Sequence, residues 1–179
     1  MSTTITAADI NKLRQMTGAG MMDCRKALTE TEGDFEAAID WLRKKGQKVA
    51  ALRGDREAKE GVVLARTTAD HKTGIALCLS CETDFVAKND DFIALADGIA
   101  AAAAASGSAD VEALLGATLA DGRTVAEGIE ALNAVIGEKI EIANAVVFDG
   151  DVAAYLHQRS ADLPPQVGVL VAYNGSEDA

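Results

Sequence analysis

After its first third the hydrophobic period of this chain shifts from helical spacing to alternation, and that shift limits what it can fold into. Early on, Phe35, Ala38, Ile39 and Leu42 recur at i, i+3, i+4 and i+7, the spacing of one buried helix face. Later, in TGIALCLS at 73–80, bulky Ile75, Leu77 and Leu79 alternate with small Ala76, Cys78 and Ser80, and Cys81 continues the bulky set. A period of two gives a strand one broad apolar face to bury. Helical spacing first and alternation afterwards predict an α+β protein. The division expected is a three-helix domain over 1–46, a linker over 47–60, and an α+β core over 61–179 of mostly antiparallel sheet packed with helices.

The first domain carries its own punctuation. Thr6 is a predicted N-cap with Asp9 as its capping-box partner, and Ile5 and Ile10 form a hydrophobic staple around it. Ile10, Leu13 and Met16 then lie near one face, and Gly18 stops the helix. A second helix is expected after Asp23, with Cys24, Ala27 and Leu28 inward. Asp34 caps a third, which Gly46 ends. So small a domain has a thin core, which puts weight on Phe35, Trp41 and Leu42. The linker QKVAALRGDREAKE reads as helical and interrupted at Gly54.

In the core, strands are predicted at 62–67 and 74–81, joined by the turn ADHK. The loop TDFVAKND leads to a helix over about 91–105, then the short helix VEALL. Thr124 and Glu127 make a second capping box, ahead of a helix burying Val125, Ile129, Leu132 and Ile136. Strands at 139–148, 152–158 and 167–173 complete the sheet. TGIALCLS is faintly repeated as VGVLVAYN at 167–174. The second copy reads as an unfinished unit, or as a sheet edge left to pair with something else.

Composition narrows the function. Acidic residues number 28 against 17 basic ones, a formal charge of −11. Such a surface repels phosphate backbones, so nucleic acid is not an expected direct ligand. Three cysteines without a secretory signal point to a reducing cytoplasm. No apolar stretch is long and bulky enough to span a bilayer.

Several stretches could carry chemistry. Thr17 to Asp23 is a glycine-rich turn before a helix, but it follows a helix and lacks the Lys-Thr pair of a phosphate loop, so a tight interhelical turn is expected. Met21 and Met22 either fill the core or offer flexible thioethers to a protein partner. Cys78 and Cys81 are three apart on a strand and so face opposite ways; burial of both thiols is expected over zinc or redox chemistry. At Thr83-Asp84-Phe85-Val86, either Phe85 plugs the core and Asp84 caps a turn, or a strand-end loop carries function. His71 belongs in a solvated turn, and His157, near a strand end, is structural or interfacial. No constellation meets the requirements of an enzyme active site, and no cofactor or metal is expected.

Taken in order, these stretches resemble the elongation factor Ts family. LRQMTGAGMMDCRKALTETEGDFEAAIDWLRKKG at 13–46 is similar to its N-terminal signature and CETDFVAKNDDF at 81–92 to its core signature. IGEKIEIANA at 136–145 and GVLVAYNG at 168–175 follow its pattern too. The resemblance implies a ubiquitin-associated-like three-helix domain, a core of related α+β halves, and elongation factor Tu as partner, for which the chain would be a guanine-nucleotide exchange factor. It implies that Thr83, Asp84, Phe85 and Val86 dislodge magnesium from the partner, and that Arg14, Met21, Met22, Arg25 and His157 bind it. A homodimer through the core is a second partner to test. Departures are Ser80 in place of the usual Asn, Arg25 in place of the common Lys, and the longer turn ADLPPQ at 161–166. Longer members continue past the equivalent of Gly175.

Overall fold

A computed structural model describes residues 5–52 and 56–174, with the backbone alone for 47–52. The chain divides into two compact units. Unit 1 comprises residues 1–55 and 130–138, and unit 2 comprises 56–129 and 139–179.

Unit 1 contains α1 (Ala7–Thr17), α2 (Met21–Glu30) and α3 (Phe35–Leu52). The capping box forms: the Thr6 N–H donates to Asp9 Oδ2 at 3.0 Å and the Asp9 N–H to Thr6 Oγ1 at 3.2 Å. Gly18 ends α1 at φ 68°, its N–H bonded to the Arg14 carbonyl. Leu13, Cys24, Ala27, Leu28 and Ala38 are wholly buried, with Ile5, Ile10, Phe35, Ile39 and Trp41 packed around them. Asp34 caps α3 through the Ala37 N–H.

Three expectations for this unit need correction. The second helix begins at Met21, capped by Gly20, and not after Asp23. Met16 does not share the buried face of Leu13; it is exposed, because one further turn of α1 carries it past the core edge. Gly46 does not end α3, which runs on to Leu52. A glycine inside a helix costs only about 1 kcal/mol, and here a Cβ would stand 2.9 Å from that of Ala134, so its smallness serves close packing. The interruption expected at Gly54 lies outside the described residues.

Unit 2 is built on β1 (Glu60–Thr67), β2 (Thr73–Cys81) and β3 (Glu141–Asp149), an antiparallel sheet in that order. Ala143 is an extra residue on β3, since Cys78 pairs with Asn144 and Leu79 with Ile142. The helices are α4 (Asp84–Ala87), α5 (Asp90–Ser106), α6 (Val111–Leu115) and α7 (Val125–Ile136), the last crossing into unit 1. The second capping box is present, Thr124 with Glu127. Helix α5 packs on β2 and buries Phe92, Ala96, Ile99 and Ala103 completely. Ile75, Leu77, Leu79 and Cys81 are buried beneath it, the bulky face that alternation predicts.

The last two strands, β4 (Asp151–His157) and β5 (Val167–Tyr173), form a separate two-stranded antiparallel sheet and do not extend the first, as one continuous sheet would require. The cause is local. Gly150, at φ 114°, turns the chain directly after β3, and the hairpin folds back over the small-residue face of β2. A Cβ at Gly74 would meet Val152 Cγ1 at 2.3 Å, and one at Gly168 would meet Val63 Cγ1 at 2.8 Å. Only hydrogen atoms fit at those two points. Lys72, in the turn between β1 and β2, pairs with Asp151 at the start of the hairpin, and that carboxylate holds the lysine pKa above its ordinary value.

Candidate functional site

At the end of β2 the chain reaches the TDFV segment. Thr83 adopts extended geometry and its Oγ1 accepts the Val86 N–H at 3.4 Å, capping the single turn of α4. Expected as a loop, the segment is therefore helical over Asp84–Ala87, because Thr83 supplies an N-cap just ahead of two side chains that can be buried. Val86 and Ala87 turn inward, and at 100° per residue this points Phe85 outward. Phe85 is 81% exposed. It does not plug the core; Phe92, with no exposed surface, does that. Nor does Asp84 cap a turn: it is the first residue of α4 and its carboxylate lies 3.2 Å from Lys88 Nζ. Below the turn, the buried Cys81 thiol donates to the Thr83 carbonyl at 3.2 Å. The result is a ledge: a phenyl ring in water, a carboxylate–ammonium pair on the same turn, and a fixed root.

In unit 1, Met21 and Met22 open α2 with 52% and 73% of their surface exposed. They do not fill the core; Cys24, Ala27 and Leu28 on the other face of α2 do. Arg14 and Arg25 are exposed as well. Met16 adds a third exposed thioether close in sequence to the same turn, one that sequence reasoning placed inside. The signal was present, since α1 already spends its inward positions on Ile10 and Leu13. His157 stands exposed at the end of β4, with the Tyr155 hydroxyl 3.1 Å from its Nδ1.

The remaining candidates resolve simply. The turn before α2 leaves Gly20 as an N-cap without a side-chain bond. Cys78 and Cys81 do face opposite ways, but only Cys81 is fully buried; Cys78 is partly open on the hairpin side, 3.8 Å from Ser80 Oγ. The β-bulge at Ala143 lies opposite it. His71 sits exposed in its turn at φ 54°. Among the described residues, no three His, Cys, Asp or Glu side chains converge as a metal site, and no helix is long and apolar enough to cross a membrane.

Comparison with known proteins bears on this arrangement. The family model described as Elongation factor TS matches residues 82–179. The chain is 53% identical over 174 residues to the elongation factor Ts of Mycobacterium bovis, a match covering 97% of this chain and 62% of that protein. It is 54% identical to that of Saccharopolyspora erythraea, again over 97% and 62%, and 51% identical to that of Nocardia farcinica, over 97% and 61%. It thus spans about three fifths of the length of these relatives. The family match begins at Glu82, at the root of the exposed ledge, and takes in all of α4 to β5; the chain belongs to the elongation factor Ts family.

Proposed function

We propose that this chain is a guanine-nucleotide exchange factor for elongation factor Tu, acting in translation elongation in the cytoplasm by binding and not by bond chemistry. The observation that carries the proposal is the exposure of Phe85 on a turn whose root is fixed. A phenylalanine exposed in water gains free energy on entering an apolar slot. That gain is roughly 1.5–3 kcal/mol, at least a tenfold bias in an equilibrium. A factor that binds the nucleotide-free GTPase more tightly than its GDP form must weaken GDP binding by the same ratio. Phe85 is the wedge, and Asp84 brings negative charge beside the partner's magnesium and phosphate site, where losing the cation weakens nucleotide binding. Thr83 and Val86 hold the turn. Arg14, Met21, Met22 and Arg25 form a second contact, suited to an apolar surface by the flexibility of the thioethers, and His157 a third. The acidic balance of the chain favours a protein partner over direct contact with nucleic acid.

The test is stopped-flow release of labelled GDP from elongation factor Tu. Phe85→Ala should slow release by about tenfold while leaving the thermal midpoint of the factor in place. Equal rates for wild type and variant would remove the wedge. A complex whose affinity ignores added GDP would instead favour a nucleotide-independent binding or dimerisation module.

A further inference from the structure

The residue just ahead of the TDFV turn does more than connect it. The β1–β2 ladder ends at Glu60 opposite Cys81, and the β2–β3 ladder at Ser80 opposite Glu141. Beyond those pairs neither ladder continues among the described residues along the chain that leads into α4. Glu82 takes over with its side chain. Its Oε1 accepts the backbone N–H of Lys139 at 2.6 Å, and its Oε2 accepts Arg56 Nη1 at 3.0 Å. The carboxylate is only 17% exposed. Lys139 closes the cluster, with its Nζ 3.3 Å from the Arg56 carbonyl oxygen and 3.0 Å from Glu141 Oε2. Arg56 and Lys139 are the first residues of the two segments that make up unit 2. One carboxylate therefore ties the start of each segment to the root of the Phe85 turn.

Resting on the reading of Phe85 above, we infer that Glu82 is a positioning residue for nucleotide exchange: it extends the ladder by one side-chain rung and fixes the direction in which α4 presents the ring. The geometry suits this role. A four-residue helix has too few internal bonds to hold its own axis. Its aim is set by Thr83, whose carbonyl is held by the Cys81 thiol, and by Glu82, held from two sides. Charge-assisted bonds to a largely buried carboxylate are short and strong, which suits a pivot. A ring displaced by about 1 Å from its slot can lose up to a hundredfold in rate without any change in its chemistry.

The experiment measures GDP release from elongation factor Tu against factor concentration, separating the plateau rate from the half-saturating concentration. Glu82→Ala should lower the plateau about tenfold with half-saturation within about twofold, since the contacts in unit 1 remain. Glu82→Gln keeps an oxygen acceptor for the Lys139 N–H but sets an amide donor against the Arg56 guanidinium, so it should recover part of the loss. In a Phe85→Ala background, Glu82→Ala should have no further effect. If the two losses multiply, Glu82 does not act through the ring and the inference is overturned. A Glu82→Gln plateau no higher than that of Glu82→Ala, in a protein with wild-type circular dichroism, also overturns it, since the bond to the Lys139 N–H is kept. If Phe85→Ala alone leaves release unchanged, the wedge falls first and the positioning role with it.

Discussion

Strands β2 and β5 start alike and end in different surroundings. Each carries a glycine second in its repeat, Gly74 and Gly168, and each glycine lies where the opposing layer comes too close for a methyl group. The next outward residues are bulky in both. In β2 they are Ile75 and Leu77, at 5% and 1% exposure; in β5 they are Val169 and Val171, at 43% and 52%. Alternation thus decides which residues share a face, while burial depends on what lies over that face. For β2 the cover is α5.

That contrast can be broken by measurement. The largest effect expected is from Leu77→Ala, about 2–5 kcal/mol of lost stability in urea unfolding, the cost of a cavity in a filled core. If Val171→Ala costs as much, the two faces are equally buried in solution and the comparison fails. Next is Gly74→Ala, at about 1–3 kcal/mol for overpacking, because Val152 is completely buried and has nowhere to go. Gly168→Ala should cost less, since the approach there is wider. A reversed order would mean that the hairpin seats differently. Val171→Ala itself should stay within about 0.5 kcal/mol.

The smallest effect concerns the pin between the layers. Asp151 raises the pKa of Lys72 above 10.5. A group whose folded pKa is raised contributes stability that is complete below its unfolded value and is lost as pH climbs through the folded one. The thermal midpoint of Lys72→Met should therefore lie slightly below wild type at neutral pH and converge with it in strongly alkaline solution. A gap that persists there would assign the contribution to packing.

The sequence was legible where local signals and burial agree. Thr6 with Asp9, Thr124 with Glu127, Gly18, and the bulky face of β2 all follow from side-chain chemistry within a few residues. It was less legible where a distant contact decides. Gly46 looks like a stop, but its role is set by Ala134, some ninety residues away. The separation of β4 and β5 from the first sheet depends on Gly150 and on the fit of Val152 over Gly74, neither of which alternation encodes. At the site, TDFV could be found, but not which way Phe85 points. That depends on a turn of four residues, whose period is too short to read, and on Val86 and Ala87 taking the inward positions. Glu82 was passed over because a lone carboxylate after a strand has the same sequence signature whether it is solvated or clamped.

The two glycine contacts also constrain how this chain can vary between species. Where the gap between layers is closed by hydrogen atoms, side chains on one layer can change only in step with the other. A methyl group could be tolerated at position 74 in an ortholog whose residue 152 has shrunk, and at position 168 in one whose residue 63 has shrunk. The pairs 74/152 and 63/168 should therefore covary across an alignment, leaving a fossil of the interlayer spacing that can be read without any coordinates.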